Sequence, residues 1–372
     1  MSACTGDGTS LRTPDDFDEV DVALSRPCRA DGFSPRLLTE FAPLSLQPLL
    51  EAPDSDFFET SSPTAVEFDS ENNMIVARRN GVIESHSGGQ VAILADLSAD
   101  TSTVADQGVL ALDWLDDTNL LVLRTAGSGA TVLTVVDGDP SRASAPIELL
   151  RVEQPDERHN GGGLAVDRAI GEVFVGIGDG GEQGDPDGQA GDATNSLGTI
   201  LRGTVDINTQ RLIPTSGRTD LIWATGVRNP HRIWLDGATA WVTDVGENCR
   251  EELNRLDTRE MSYDLGWNAW EGDIEFVADD TRETTSPLIT YGHDRGRCAI
   301  IGGVELPATF DLPGAVAVAD FCSGEVFAVD SDGIIGVLPI QVTQPVDVSV
   351  SADGELIVTS LDGSIQAVRH TS

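Results

Sequence analysis

The sequence contains no lysine. All 23 of its basic residues are arginines, they face 62 acidic residues, and the formal net charge is −39. A chain this acidic repels phosphate backbones and anionic membranes, which makes nucleic acid a poor partner. No run of about 18 apolar residues is present, so a membrane-spanning helix is not expected. We interpret the acidity as an adaptation to the solvent, such as a saline habitat.

Cysteine is scarce, and the five cysteines cannot all pair within the chain. In an exported protein, Cys298 and Cys322 can bridge two consecutive repeat units, and Cys4 with Cys28 would tie down the N-terminus. Cys249 is then left over as a small buried apolar side chain. On this basis we expect a periplasmic or extracellular protein containing a disulfide.

The N-terminal region has neither hydrophobic periodicity nor the basic-then-apolar pattern of a signal peptide. Residues 1–34 therefore form a first unit, a flexible acidic tail, and residues 35–372 form the folded domain. Residues 1–4 are compatible with the start of a processed lipoprotein, with Cys4 as the lipidated residue, and equally with a cloned N-terminus.

One hairpin pattern returns along the folded region: an apolar alternating run, a polar turn with Asp or Gly, and a second apolar run. With 39 Gly and 18 Pro, the composition also suits many short strands. The repeats begin near residues 65, 110, 164, 233, 316 and 348. Their spacing predicts a six-bladed β-propeller. Because the unit boundary between residues 243 and 316 is ambiguous, seven blades remain an alternative, as does a β-sandwich.

A propeller must close its ring, because each blade buries its faces only against its neighbours. The segment 37–50 is placed to pair with the last blade. We therefore predict an all-β fold closed by an N-terminal strand.

Three glycine-rich stretches, residues 158–164, 178–181 and 226–231, each lie beside a predicted strand. Glycine lets a backbone turn tightly and approach a flat ligand closely, and propeller loops of this kind cluster at the mouth of the central channel. Turn formation alone is the simpler explanation for each stretch.

Together these stretches resemble the glucose/sorbosone dehydrogenase-like family, which includes soluble aldose sugar dehydrogenases that use pyrroloquinoline quinone (PQQ) and hedgehog-interacting-protein-like propellers. The resemblance covers residues 37–368. It rests on residues 159–162 (His-Asn-Gly-Gly), 178–181, 228–230 (Arg-Asn-Pro), 244–248, 252–254, 265–267, 302–303, 319–324 and 360–363. It implies an oxidoreductase that acts on the C1 hydroxyl of an aldose or related polyol, with an electron acceptor that the sequence does not identify.

The resemblance also implies roles for individual residues. His159 would be the general base, because imidazole titrates near neutral pH, and Asp179 would orient its ring. Arg228 would stabilise the oxyanion that develops on the quinone, while Asn229 and His231 would contact the same cofactor.

A calcium ion is implied as a second cofactor. The backbone carbonyls of Gly246 and Glu247 match the family's ligands for it, and carbonyl oxygen suits this hard cation.

The sequence departs from the dehydrogenase pattern where the cofactor's carboxylates would lie. Residues 344–347 (Gln-Pro-Val-Asp) replace an Arg-x-Arg-Asp motif, and the lysine that accompanies it is missing. Asp106, Gly163 and His231 also depart from the common residues. The hedgehog-interacting-like branch shares the late-blade loss, so a non-catalytic propeller that binds carbohydrate or protein is the main alternative. A six-bladed lactone hydrolase is a more distant alternative.

Overall fold

The computed structural model describes Cys28 and residues 35–41, 43–51, 58–142, 144–278 and 280–370. Apart from Cys28, the predicted tail 1–34 lies outside the described residues, and so does Cys4. In these described ranges, helix occurs only in short segments at Thr39–Phe41, Phe58–Ser61, Ser98–Asp100, Asp294–Gly296 and Ala308–Phe310. Within these ranges, no helix has the length and apolar character needed to cross a bilayer.

Strand β1 (Leu44–Leu50) precedes the first blade. Blade 1 consists of β2 (Pro63–Phe68), β3 (Met74–Arg78), β4 (Val82–Ser87) and β5 (Gln90–Asp96). Blade 2 consists of β6 (Val109–Trp114), β7 (Asn119–Thr125), β8 (Thr131–Asp137) and β9 (Ile147–Val152). Both are antiparallel meanders, in which each strand pairs with its neighbour in sequence.

Blade 3 is larger than the others. Its main strands are β10 (Leu164–Asp167), β11 (Glu172–Ile177), β12 (Thr199–Asp206), β13 (Arg211–Pro214) and β14 (Ile222–Thr225). Blade 4 contains β15 (Pro230–Asp236), β16 (Thr239–Asp244) and β17 (Arg250–Asp257). A long excursion follows, in which β18 (Tyr263–Asp264) pairs in parallel with β14 and β19 (Trp270–Glu271) pairs with β20 (Ile274–Glu275). The chain then returns to complete blade 4 with β21 (Ile289–Gly292).

Blade 5 contains β22 (Ile300–Glu305), β23 (Val316–Asp320), β24 (Val326–Asp330) and β25 (Gly333–Val337). Blade 6 contains β26 (Pro345–Val350), β27 (Leu356–Ser360) and β28 (Ile365–His370), and β1 is its fourth strand. In the β1–β28 pair, Leu44 lies opposite His370 and Leu46 opposite Val368. The predicted six-bladed propeller and its closure by an N-terminal strand are confirmed.

The core is a ring of six buried clusters, one between each pair of adjacent blades. The cluster between blades 6 and 1 joins Ile357 and Ile365 to Val66 and Val76, so the first blade is sealed against the last. Strands inside a blade are covered on both faces, which is why the middle of β7 is continuously apolar rather than alternating.

The hairpin that starts at residue 316 does not begin a blade. It forms the second and third strands of blade 5, and the first strand is β22. Strand β22 was hard to recognise because a bulge at Gly302 and Gly303 interrupts its pairing. A Cβ atom on Gly303 would lie 2.2 Å from the ring of Trp234, so only glycine lets blades 4 and 5 approach this closely.

The disulfides confirm one cysteine prediction and correct another. Cys298 and Cys322 are bonded, with their Cα atoms 5.5 Å apart. Cys249 is not an isolated thiol, however, because it is bonded to Cys28 across 221 residues, with a Cα separation of 5.2 Å. The predicted Cys4–Cys28 pair was wrong. The turn between β16 and β17 brings Cys249 beside residue 28, and sequence spacing cannot reveal such a contact.

Candidate active site at the channel mouth

Two glycine-rich loops hold His159 and Asp179 together. Gly178 packs so closely on the other loop that a Cβ atom there would lie 1.7 Å from the carbonyl oxygen of His159. His159 itself adopts a left-handed backbone conformation with φ of 51°. The glycines therefore allow the two loops to pack closely. In this arrangement Nδ1 of His159 lies 2.8 Å from Oδ1 of Asp179.

The carboxylate of Asp179 is buried and fully engaged. Its Oδ1 also accepts the N–H of Gly181 at 3.0 Å, and its Oδ2 accepts the indole N–H of Trp267 at 2.8 Å. Burial acts to raise the pKa of Asp179, but His159 and Arg228 outweigh it and hold the pKa below its ordinary value. Asp179 is therefore ionised and fixed in orientation.

Arg228 completes the cluster. Its Nε donates to Oε2 of Glu247 at 2.8 Å, and its Nη1 donates to the carbonyl of Val245 at 2.9 Å. Its guanidinium lies 5.7 Å from the ring centroid of Trp267. Burial acts to lower the pKa of Arg228, but Glu247 and Asp179 raise it above its ordinary value.

The remaining contact of Arg228 determines the tautomer of His159. Nη2 of Arg228 lies 2.8 Å from Nε2 of His159. A guanidinium can only donate, so Nε2 must be an acceptor and Nδ1 carries the proton that is donated to Asp179. His159 is thus a neutral imidazole whose lone pair points at a cation, which is the protonation state a general base needs.

The predicted cofactor residue Asn229 is positioned by a buried carboxylate that sequence reasoning missed. Asp244 accepts the backbone N–H groups of Arg228 at 2.9 Å and Asn229 at 2.7 Å. Burial raises the pKa of Asp244 to about 7 despite these hydrogen bonds. Oδ1 of Asn229 accepts the N–H of Gly161, which links this loop to the His159 loop.

His231 is buried, and its Nδ1 has no hydrogen-bond partner within the described part of the chain. Burial, together with the charge of Arg232, lowers the pKa of His231 well below its ordinary value, so the ring is neutral. Nδ1 of His231 is therefore a buried polar atom whose hydrogen bond the described residues do not supply.

Arg232 crosses the centre of the ring just below this site. Its Nε donates to Asp347 in blade 6 at 2.9 Å, its Nη1 to the carbonyl of Leu110 in blade 2 at 2.6 Å, and its Nη2 to that of Thr64 in blade 1 at 2.7 Å. One arginine therefore connects three other blades to its own. Its positive charge is paired with Asp347 and with backbone carbonyls within the protein.

The turn that carries Gly246 and Glu247 is rigid. Oε1 of Glu271 accepts the N–H groups of Asn248, Cys249 and Arg250 at 2.8, 2.6 and 3.0 Å. The side chain of Glu247, for which only a carbonyl role was expected, pairs with Arg228. The described residues contain no group of three or more His, Cys, Asp or Glu side chains able to hold a metal. Carbonyl ligands would not form such a group.

Val346, which stands at one of the two late-blade arginine positions of the dehydrogenase pattern, is an apolar core residue. Val346 is buried and packs against Ile301 and Phe321. Arg297 pairs with Glu325 at 2.6 Å and lies over the ring of Phe327. Asp244 and Trp267 are site residues that the sequence analysis did not single out, and the ion pair of Glu247 with Arg228 was not expected. All three residues lie in motifs that carry the family resemblance.

A six-bladed propeller with a His, Asp and Arg cluster at its channel mouth defines the class of this protein. A sequence model described as glucose/sorbosone dehydrogenase matches residues 60–290, more than half of the chain. The chain therefore belongs to the glucose/sorbosone dehydrogenase family of oxidoreductases.

Solved structures share the fold at low sequence identity. The PQQ-bound aldose sugar dehydrogenase of Streptomyces coelicolor is 18% identical, with a TM-score of 0.67 over 90% of this chain and 99% of that one. The apo soluble aldose sugar dehydrogenase of Escherichia coli is 18% identical, with a TM-score of 0.68 over 88% and 100%. The holo PQQ domain of Coprinopsis cinerea pyranose dehydrogenase is 12% identical, with a TM-score of 0.62 over 88% and 96%.

Proposed function

We propose that this protein is a PQQ- and calcium-dependent oxidoreductase that oxidises the C1 hydroxyl of an aldose or related polyol, with His159 as the general base. The observation that carries the proposal is the state of His159: a neutral ring, oriented by an ionised Asp179, with its Nε2 lone pair at the channel mouth. This is the arrangement that proton abstraction from an alcohol requires.

In the proposed reaction, the sugar hydroxyl takes the place of Nη2 of Arg228 at Nε2 of His159. The hydroxyl proton passes to Nε2 as the hydride leaves C1, and the imidazolium that forms is stabilised by Asp179. Arg228, displaced but still held by Glu247 and Val245, keeps its positive charge beside the reacting atoms. PQQ supplies a two-electron hydride acceptor when it is bound.

The donors at the mouth fit the quinone end of PQQ. Arg228, Asn229 and His231 would hold it, because Nδ1 of His231 is buried without a partner and Nδ2 of Asn229 makes no hydrogen bond within the described ranges. Their cationic and amide N–H groups suit carbonyl oxygen, and the neutral His231 ring can donate or accept. These unsatisfied groups support cofactor binding independently of the family resemblance.

For calcium, the proposed ligands are the backbone carbonyls of Gly246 and Glu247. Their turn is preorganised by Glu271, and the carbonyl of Gly246 accepts no hydrogen bond from the described part of the chain. A bound calcium ion would act as a Lewis acid beside the cofactor.

The second candidate function is a non-catalytic propeller that binds carbohydrate or protein at the same mouth. The observation in its favour lies at the cofactor's carboxylate end, where Val346 is buried among apolar side chains and Arg232 is engaged by three other blades. Neither offers a free counter-charge to a tricarboxylate.

We also propose a periplasmic or extracellular location. Two disulfides support it, because such bonds persist in oxidising compartments. Lipid anchoring through Cys4 concerns a residue outside the described ones.

Titration of the purified protein with PQQ, with and without calcium, separates the two functions. We expect calcium-dependent binding at micromolar PQQ and reduction of an artificial dye when aldoses are added. Absence of PQQ binding at micromolar concentration would favour the non-catalytic propeller.

A further inference from the structure

A polar cleft of about 860 Å³ lies along the outer edge of blade 3. Its volume is within the range of about 300–1,000 Å³ that is usual for small-molecule sites. We call it the rim cleft. It is lined by Ala193, Arg218, Asp220, Ile222, Trp223, Thr225, Ser262, Tyr263, Asp264, Glu283, Thr284 and Thr285.

The rim cleft carries charges of both signs. Asp220, Asp264 and Glu283 are acidic, Arg218 is basic, and Nη1 of Arg282 lies 3.8 Å from Oδ2 of Asp264. A simple anion or cation would meet like charges here, whereas a neutral polyhydroxylated ligand can donate to the carboxylates and accept from the guanidinium groups. The charge pattern therefore favours a sugar over an ion.

One buried polar group of the cleft has unused hydrogen-bonding capacity. The side chain of Arg218 is nine-tenths buried, and its Nε has no partner among the residues that the structure describes, although its Nη atoms donate to the carbonyls of Met261 and Ile222. A buried donor without an acceptor is unfavourable, and a ligand hydroxyl would satisfy it.

An aromatic wall accompanies these polar groups. The ring of Tyr263 packs edge-on against Trp223, with centroids 5.3 Å apart, and its hydroxyl is engaged with the backbone of Asp257. The orientation of Tyr263 is therefore fixed before any ligand arrives, so little entropy is lost when a sugar packs beside it.

The rim cleft adjoins the channel mouth. Asp264 lines the cleft, and three residues later Trp267 donates to Asp179 beside His159. Three residues span at most about 10 Å. Oδ1 of Asp264 accepts the N–H of Gly266, and the N–H of Trp267 donates to the carbonyl of Gly226, so the segment between the cleft and the His159 cluster is held in place.

We propose that the rim cleft is a saccharide-binding subsite, and that the substrate is an oligosaccharide whose oxidised end reaches His159 while its next units lie in the cleft. The proposal rests on the proposed function for the oxidised end. Binding in the cleft itself does not depend on turnover.

Calorimetry on the His159→Ala protein without added PQQ tests the cleft. The probes are cello-, malto-, xylo- and mannotetraose, compared with the corresponding monosaccharides. We expect at least one tetrasaccharide to bind at least tenfold more tightly than its monosaccharide. Glu283→Trp fills the cleft and should abolish the higher affinity for the tetrasaccharide. Ser286→Trp changes an exposed neighbour outside the lining and should retain that higher affinity.

The proposal is overturned if no tetrasaccharide binds more tightly than its monosaccharide, or if the Glu283→Trp protein keeps the full gain. Dye reduction by the otherwise unaltered chain reports on the oxidoreductase function separately. Glu283→Trp should lower kcat/KM for the tetrasaccharide at least tenfold and leave it unchanged for the monosaccharide. An inactive protein that still binds the tetrasaccharide in the cleft would refute the proposed function and leave the subsite standing.

Discussion

Nη2 of Arg228 lies 2.8 Å from Nε2 of His159, so a cation contacts the ring nitrogen to which the proposed reaction brings a substrate hydroxyl. Because this contact is possible only when Nε2 is unprotonated, Arg228 holds His159 in the form that can accept a proton. The carboxylate of Asp179 fixes the opposite edge of the ring. Both ring nitrogens of His159 are therefore held in place, as the proposed general base requires.

The first prediction concerns Asp179. Asp179→Asn replaces one carboxylate oxygen with an NH2 group, although His159 and Trp267 both donate to this side chain. The tautomer of His159 that carries its proton on Nδ1 is then no longer favoured. We expect kcat for sugar-dependent dye reduction to fall by at least about 100-fold, with a much smaller change in KM. The matched control is Asp187→Asn, an exposed position in the following loop, which should retain full activity.

The second prediction concerns Arg232. Arg232→Ala leaves Asp347 buried without its partner, so the free energy of unfolding should fall by about 3–5 kcal/mol. Adding Asp347→Asn to that variant should recover part of the loss, because the unpaired charge is removed. Arg259→Ala breaks an exposed pair and should change stability by less than about 1 kcal/mol. Urea denaturation measures the free energy of unfolding of all three variants. Equal losses for Arg232→Ala and Arg259→Ala would contradict a stabilising role for the contacts that Arg232 makes with other blades.

The third prediction concerns the disulfides. Non-reducing peptide mapping should recover Cys28 linked to Cys249 and Cys298 linked to Cys322. The variant with Cys298→Ser and Cys322→Ser should lose about 3 kcal/mol of unfolding free energy, since that bond closes a loop of 24 residues. A peptide that links Cys4 to Cys28 would contradict the observed pairing.

The fourth prediction concerns pH. Burial between blades 2 and 3 raises the pKa of Asp113 to about 7, although the N–H of Val166 partly opposes the shift. An acid whose pKa is higher in the folded than in the unfolded state favours folding at low pH, and this contribution is lost as pH rises from about 4 through 7.

Asp113→Asn removes that titration and keeps an acceptor for Val166. Its stability relative to the unmutated chain should therefore increase between pH 5 and pH 8, as measured by urea midpoints. Asp117→Asn, which changes an exposed carboxylate nearby, should show no such trend. If the difference in stability between Asp113→Asn and the unmutated chain does not change between pH 5 and pH 8, burial of the Asp113 charge is refuted.

Much of the fold follows from local pattern. Period-two hairpins and the apolar segment near residue 44 predict six blades and their closure, because each blade repeats the same two-sided burial. Strand β22 escaped recognition because its bulge glycines break the alternation. The Cys28–Cys249 bond escaped because it depends on three-dimensional proximity across most of the chain.

The site was predictable where residue type carries the chemistry. His159, Asp179 and Arg228 do lie together, as the family resemblance implies. The roles of Trp267 and Glu247 were hidden, because an indole N–H donor and a buried counter-ion leave no spacing signal. Arg232 was equally hidden, since its partners come from three other blades.

The most direct test of the account is the rate of dye reduction by His159→Ala after addition of calcium and PQQ. We predict that the unmutated chain turns over an aldose or oligosaccharide, and that kcat falls about 100- to 10,000-fold in the variant while PQQ binding is retained. Turnover by His159→Ala at the rate of the unmutated chain would contradict it.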